Sequence, residues 1–197
     1  MLILVRHGES TGNASGLLLG RLDAPLTDRG RDQARSLRTA VAGTTRVIAS
    51  PLARAVATAE ALDVGLPIEV DDRWVEVDYG AFDGQPLRSV PADVWTEWRT
   101  DPQYRPPGGE TLAEAGHRVR LACEELFSTA GEGARAEAPV VVVSHVTPIK
   151  IATCWALGIG DEGTWRLYLA TASVTCIAWG VHGPVLHRFN ETPWSLS

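Results

Sequence analysis

The chain has no two cysteines at short spacing. Cys123, Cys154 and Cys176 are an odd, scattered set, each inside an apolar segment. This pattern supports neither a disulfide frame nor a zinc site and reads as buried free thiols in a reducing cytosol. Runs of like charge are missing too. Lys and Arg number 18 against 24 Asp and Glu, a net charge of −6. A broad nucleic-acid footprint is therefore not expected, whereas a small anionic substrate needs only a local cluster of arginines. No unbroken apolar stretch reaches membrane-spanning length, and an apolar strand starting at residue 2 leaves no place for a signal segment. The expectation is a cytoplasmic protein with no membrane partner. Repeats and low-complexity segments are lacking, and 197 residues at 45% hydrophobic suit one domain over 1–197 with one core and one compact site.

What is present starts with Leu2-Ile3-Leu4-Val5, a short continuous apolar run that reads as a buried parallel strand, followed directly by Arg6-His7-Gly8-Glu9. A guanidinium and an imidazole thus stand at the C-terminal end of a strand, where open α/β sheets carry their chemistry. Thr27 caps a helix that places Ala34, Leu37 and Val41 on one face, leaves Gln33, Arg35 and Arg38 elsewhere, and ends near Gly43. Arg46-Val47-Ile48-Ala49 reads as a second buried strand. Ser50-Pro51 then looks like an N-cap with proline at the first helical position, which puts Arg54 in a first turn.

Ile68-Glu69-Val70 is a third, short strand, and the glycines of residues 77–84 suggest a tightly bent surface loop. A short helix follows over Pro91 to Trp98, with Trp95 and Trp98 on one face. Thr111 and Glu114 form a capping box for a longer helix, and Gly131 to Ala138 reads as an exposed connector. Val140 to Val143 is the most apolar strand, ended by Ser144-His145; Thr147-Pro148 then looks like a second cap and N1 proline. Ser173 to Trp179 and Val185 to Phe189 alternate like an antiparallel edge pair. The fold class is α/β, a three-layer sandwich with a mainly parallel mixed sheet and helices on both faces. Its strand-to-helix turns carry Arg6-His7, Arg54 and His145, and in a parallel sheet such turns open on one edge, where the cationic groups would bind a phosphate.

These residues stand in the order of a known family: Leu4 to Ser10 with Asn13, Gly20, Asp23 to Thr27 with Gly30 and Gln33, Ser50-Pro51-Leu52 with Arg54-Ala55, Glu76 with Gly80 and Gly84, and Val143-Ser144-His145. The chain resembles the phosphoglycerate-mutase-like histidine phosphatase superfamily over nearly its whole length. The resemblance implies that His7 is the nucleophile, forming a phosphohistidine, that Arg6, Arg54 and His145 hold the phosphoryl oxygens, and that Glu76 is the proton donor. Asn13, the backbone near Gly20, Arg21 and Val146 are candidate substrate contacts. Guanidinium forks can stabilise charge on the equatorial oxygens without a metal, so neither metal nor other cofactor is expected. A carboxyl group beside a bound dianion favours its protonated form, which suits an acid in the first step and a base for water in the second.

The chain departs from the family where Val146-Thr147 replaces the common Gly-Gly after the second histidine, which makes that wall bulkier. The segment from His145 to Lys150 is similar to that of acid-phosphatase and α-ribazole-phosphatase-like members, and so points to hydrolysis of a small phosphorylated metabolite. Between Glu76 and Thr111 only Arg88, Arg99 and Arg105 offer positive charge, so retention of a bisphosphate and recognition of a carboxylate are not expected. A phosphoglycerate mutase and a non-catalytic phospho-ligand sensor are the alternatives, and a homodimer is left open. Asp78 and Asp83 rival Glu76 as the acid. Glu9 reads as a structural partner, and His117, His182 and His187 as surface or partly buried residues without a motif.

Overall fold

A computed structural model describes residues 1–128 and 139–193. Six strands form one sheet: β1 (Leu2–Arg6), β2 (Arg46–Ala49), β3 (Ile68–Val70), β4 (Val140–Ser144), β5 (Val174–Gly180) and β6 (Gly183–Glu191), in the order β3-β2-β4-β1-β5-β6. The first four are parallel, and β5 and β6 continue antiparallel. The mixed α/β sheet is thus as expected from the sequence. β1 and β4 are neighbours in register, Arg6 opposite Ser144, so the residues that follow them, His7 and His145, leave the sheet side by side.

Strand alternation divides the core between two faces. Leu2, Leu4, Ile48 and Val142 pack against α5 (Leu112–Ser128) and α6 (Val146–Leu157), through Val119, Cys123, Ile149 and Ile151. Ile3, Val5, Val47, Val141 and Val143 face the opposite layer, where α2 (Asp28–Ser36), the turns after it and α3 (Ala53–Leu62) contribute Leu37, Val41, Ala55 and Leu62. Truncating one such fully buried leucine, Leu4 for example, costs about 2–5 kcal/mol. α1 (Thr11–Ala14) is a single turn closed by a Ser10–Asn13 capping box, and α4 (Ala92–Thr100) is the short helix expected near Trp95 and Trp98. Thr111 and Glu114 form the expected reciprocal cap: the Thr111 N–H donates to the Glu114 carboxylate and the Glu114 N–H to the Thr111 hydroxyl.

Four local readings are corrected. α2 begins at its Thr27 cap but ends at Ser36, after which successive turns carry the chain to Gly43, with Leu37 and Val41 still buried. Gln33, read as lying off the apolar face with Arg35 and Arg38, is buried, because its Oε1 accepts the Glu9 N–H at 2.9 Å. α3 is capped at Leu52, not Ser50, and α6 starts at Val146 with His145 as its cap, which puts Thr147 and Pro148 inside the first turn. Pro148 costs nothing there, since the first four N–H groups of a helix have no intrahelical partner. The connector expected over Gly131 to Ala138 lies outside the described residues.

Candidate active site

The turn after β1 is clamped before any side chain acts. His7 N–H donates to Ser144 O, Ala172 N–H donates to His7 O, and Gly8 N–H donates to the Thr58 hydroxyl at 3.0 Å. Gly8 also passes so near Gly30 that a Cβ on it would lie 2.2 Å from the Gly30 carbonyl oxygen, which explains a glycine directly after the histidine.

His7 is buried, and its Nδ1 lies 2.7 Å from Gly8 O. A carbonyl can only accept, so Nδ1 carries the proton and Nε2 keeps its lone pair. Burial first, then the charges of Arg6 and Arg54, push the imidazole well below its ordinary titration range and keep it neutral. The His145 ring lies edge-on to His7 with centroids 5.0 Å apart. Its Nε2 is 2.6 Å from the Ser50 hydroxyl, while its Nδ1 is buried with no partner among the described residues. Burial also holds His145 neutral, with His7 and both arginines adding to the effect.

Arg6 donates from one terminal nitrogen to Leu169 O at 2.6 Å, and burial lowers its pKa to about 10, which leaves it charged at neutral pH. Arg54 is fully buried in the first turn of α3, its terminal nitrogens donating to Leu22 O at 2.9 Å and Gly20 O at 2.7 Å. The Nε of each arginine has no acceptor among the described residues. Both guanidiniums lie within electrostatic reach of Glu76, whose charge opposes the effect of burial on each.

Glu76 is buried at the start of the bent loop. Its carboxylate accepts the Val77 N–H at 2.9 Å and the Thr147 N–H at 3.3 Å. The rival carboxylates are engaged in loop structure instead: Asp78 accepts from Gly80 N, and Asp83 accepts from Gly20 N and Leu22 N. Geometry therefore brings His7, His145, Arg6, Arg54 and Glu76 together at one edge of the sheet, facing the first turn of α6, whose N–H groups and dipole favour an anion.

The remaining candidates divide. Val146 is the first residue of α6 and adjoins this edge. Asn13 accepts from Ser10 N and Ser10 Oγ, and among the described residues its side-chain N–H groups have no acceptor. Gly20 and Arg21 act as braces. Gly20 donates to Asp83 and accepts from Arg54, and a Cβ on it would meet Val77 O at 2.5 Å. Arg21 Nε donates to the Glu76 carbonyl at 2.8 Å, and its guanidinium reaches Glu110, which is also bound by Arg118. Sequence reading missed Ser50 as a partner of His145 and Thr58 as a partner of Gly8. Hydroxyls that act across the fold leave no local signal.

Beside the site lies a cavity of about 150 Å³ lined by Val77, Tyr79, Trp95, Trp98, Val146 and Thr147 among others. Trp98 packs at 5.3 Å from Trp95 and 5.5 Å from Tyr79, and the Tyr79 hydroxyl is 3.3 Å from that of Thr147.

The profile of the histidine phosphatase superfamily (branch 1) matches residues 2–192, and the chain belongs to that family. It is 34% identical over 182 residues to a bifunctional protein of Mycobacterium tuberculosis, covering 88% of this chain but 49% of that protein, so it spans about half the length of this relative. Phosphoserine phosphatase 1 of Hydrogenobacter thermophilus is 32% identical over 201 residues, covering 97% of this chain and 92% of the relative. Among solved structures, the α-ribazole phosphatase of Shigella flexneri superposes with a TM-score of 0.83 at 26% identity, covering 97% of this chain and 96% of that one.

Proposed function

We propose that the protein is a phosphomonoester hydrolase that acts on a small phosphorylated metabolite through a phosphohistidine on His7, with no metal or other cofactor. One observation carries this reading. His7 donates Nδ1–H to Gly8 O and keeps an unprotonated Nε2 in a buried site with two arginines, a second histidine and a carboxylate. Nε2 attacks phosphorus, the bond from phosphorus to the ester oxygen breaks, and Glu76 gives its proton to the departing oxygen. Arg6, Arg54 and His145 hold the equatorial oxygens. In the second half Glu76 takes a proton from water, the oxygen of that water attacks phosphorus, the N–P bond breaks, and orthophosphate leaves.

Membership of a family with relatives named as phosphoserine and α-ribazole phosphatases supports hydrolysis of a small phosphate ester. Three buried free thiols support a cytoplasmic setting. Rapid quench of the wild type with labelled substrate should trap an acid-labile, base-stable phosphoenzyme. His7→Ala should fold, trap nothing and lose activity by orders of magnitude; appreciable hydrolysis by that variant rejects the assignment.

A further inference from the structure

Glu76 rides on backbone that is neither helix nor strand. A single 3-10 turn, Asp72–Trp74, precedes it, and from Val75 to Asp78 the chain runs outside any regular element. Carbonyls on such a buried segment have to be met by side chains or by other loops. Arg118 donates from one terminal nitrogen to Arg73 O and Val75 O, both at 2.7 Å. Ser144 Oγ donates to Trp74 O at 2.6 Å, and Arg21 Nε donates to Glu76 O at 2.8 Å. Further along, Glu110 N–H donates to Asp78 O at 2.9 Å.

Both arginines end on one carboxylate. Arg118 grips Glu110 with two prongs, Nε to Oε1 at 2.7 Å and a terminal nitrogen to Oε2 at 2.9 Å, and Arg21 reaches Oε2 at 3.3 Å. The side chains of Arg118 and Glu110 are only 16% and 15% exposed, so this forked pair is shielded from the screening that weakens surface ion pairs. Burial acts to raise the Glu110 carboxyl, but the hydrogen bonds and charge of Arg118 and the charge of Arg21 outweigh it and hold the group below its ordinary range. Of the carbonyls named, only Trp74 O is held without Glu110. The residue is placed by its neighbours in sequence: it directly precedes the Thr111 cap of α5, the helix that carries Arg118, and a Cβ on Gly109 would lie 2.5 Å from Asp78 O.

We infer that Glu110 is a positioning residue for the acid: through Arg21 and Arg118 it sets where the Glu76 carboxyl stands, and so governs proton transfer to the leaving oxygen rather than attack by His7. The inference rests on the proposed role of Glu76. Nucleophile and cationic cradle have braces of their own. Asp83 accepts the N–H groups of Gly20 and Leu22, whose carbonyls hold Arg54, while the turn at His7 and Gly8 is tied to Ser144, Ala172 and Thr58.

Glu110→Gln tests this, because it keeps the side-chain size and the N–H on Asp78 but removes the charge that draws the two arginines together. On n-propyl phosphate kcat should fall about tenfold with KM nearly unchanged, whereas p-nitrophenyl phosphate, whose leaving group needs no proton, should lose less than about twofold. In a Glu76→Gln background the same change should cost alkyl turnover no more than about twofold further, since a positioning residue has no effect once the group it positions is gone. Arg21→Met, at a partner whose side chain is 40% exposed, should show the selective loss at smaller size, and it decides the matter should Glu110→Gln not fold. A readout without turnover is the Thr147 amide proton, which bonds the Glu76 carboxylate and should move upfield in both variants. Equal losses on the two esters, full additivity with Glu76→Gln, or an unmoved Thr147 amide overturns the inference. Where Glu76→Gln splits the esters and Glu110→Gln does not, the inference alone fails. An amide shift in a protein that hydrolyses neither ester upholds the positioning of Glu76 while the phosphatase reading fails.

Discussion

The Ser50 hydroxyl lies 2.6 Å from His145 Nε2 and ties the end of β2 to the end of β4 across 95 residues of sequence. Leu52 N–H approaches the same hydroxyl at 3.4 Å as a donor, which leaves the Ser50 proton free to go to His145. Donation of that proton to Nε2 would make Nδ1–H the donor that His145 offers a phosphoryl oxygen.

Ser50→Ala should therefore lower kcat by about tenfold while the protein stays folded, because a small buried side chain is exchanged for a smaller one and only the tautomer control is lost. Nitrogen chemical shifts of the His145 ring should report mixed tautomers in the variant and one in the wild type. Unchanged kcat together with unchanged shifts would remove the positioning role.

The two buried imidazoles also set an acid limit on stability. Both titrate well below the ordinary 6.5 in the folded protein, from burial first and neighbouring positive charge second. The unfolded chain protonates them near 6.5 and so binds more protons than the native state below that pH. Their contribution is complete above about pH 6.5 and is lost as pH falls toward the folded-state values. Urea midpoints should decline below about pH 6.5, and His7→Asn should flatten that decline by up to one proton, about 1.4 kcal/mol per pH unit. An identical slope in the variant would show that His7 titrates normally in the fold.

Much of this arrangement was legible along the chain. Arg6-His7 and Ser144-His145 each follow a continuous apolar run, and parallel pairing of β1 with β4 is what turns two strand ends into one site. The caps at Thr27 and at Thr111–Glu114 obey local rules and formed as read. Ser50 and Thr147 match the same capping pattern but do other things: one bonds His145, and the backbone of the other reaches Glu76. Tertiary partners override a local cap signal there.

In the proposed reaction two guanidiniums supply the positive charge that metal ions provide in other phosphoryl-transfer sites, and neutral His145 adds a hydrogen bond. Activity should survive exhaustive chelation, and vanadate, which adopts the five-coordinate geometry of the transferring group, should inhibit competitively. Inactivation by EDTA that is reversed by added magnesium or zinc would contradict the metal-independent reading.

The assignment of the acid is decided by leaving-group chemistry. Glu76 is buried and held at the first turn of α6, whereas Asp83 braces Gly20 and Leu22 and Asp78 closes a turn onto Gly80. An alkoxide needs a proton to depart, but p-nitrophenolate leaves as a stable anion. Glu76→Gln should therefore slow alkyl phosphates by about 100-fold or more, with a much smaller loss on p-nitrophenyl phosphate. Asp83→Asn weakens the acceptor for two backbone N–H groups, loosens the loop that carries Glu76, and should reduce both substrates together. A selective loss on alkyl phosphates in Asp78→Asn or Asp83→Asn, with Glu76→Gln affecting both substrates alike, would move the proton donor to that aspartate.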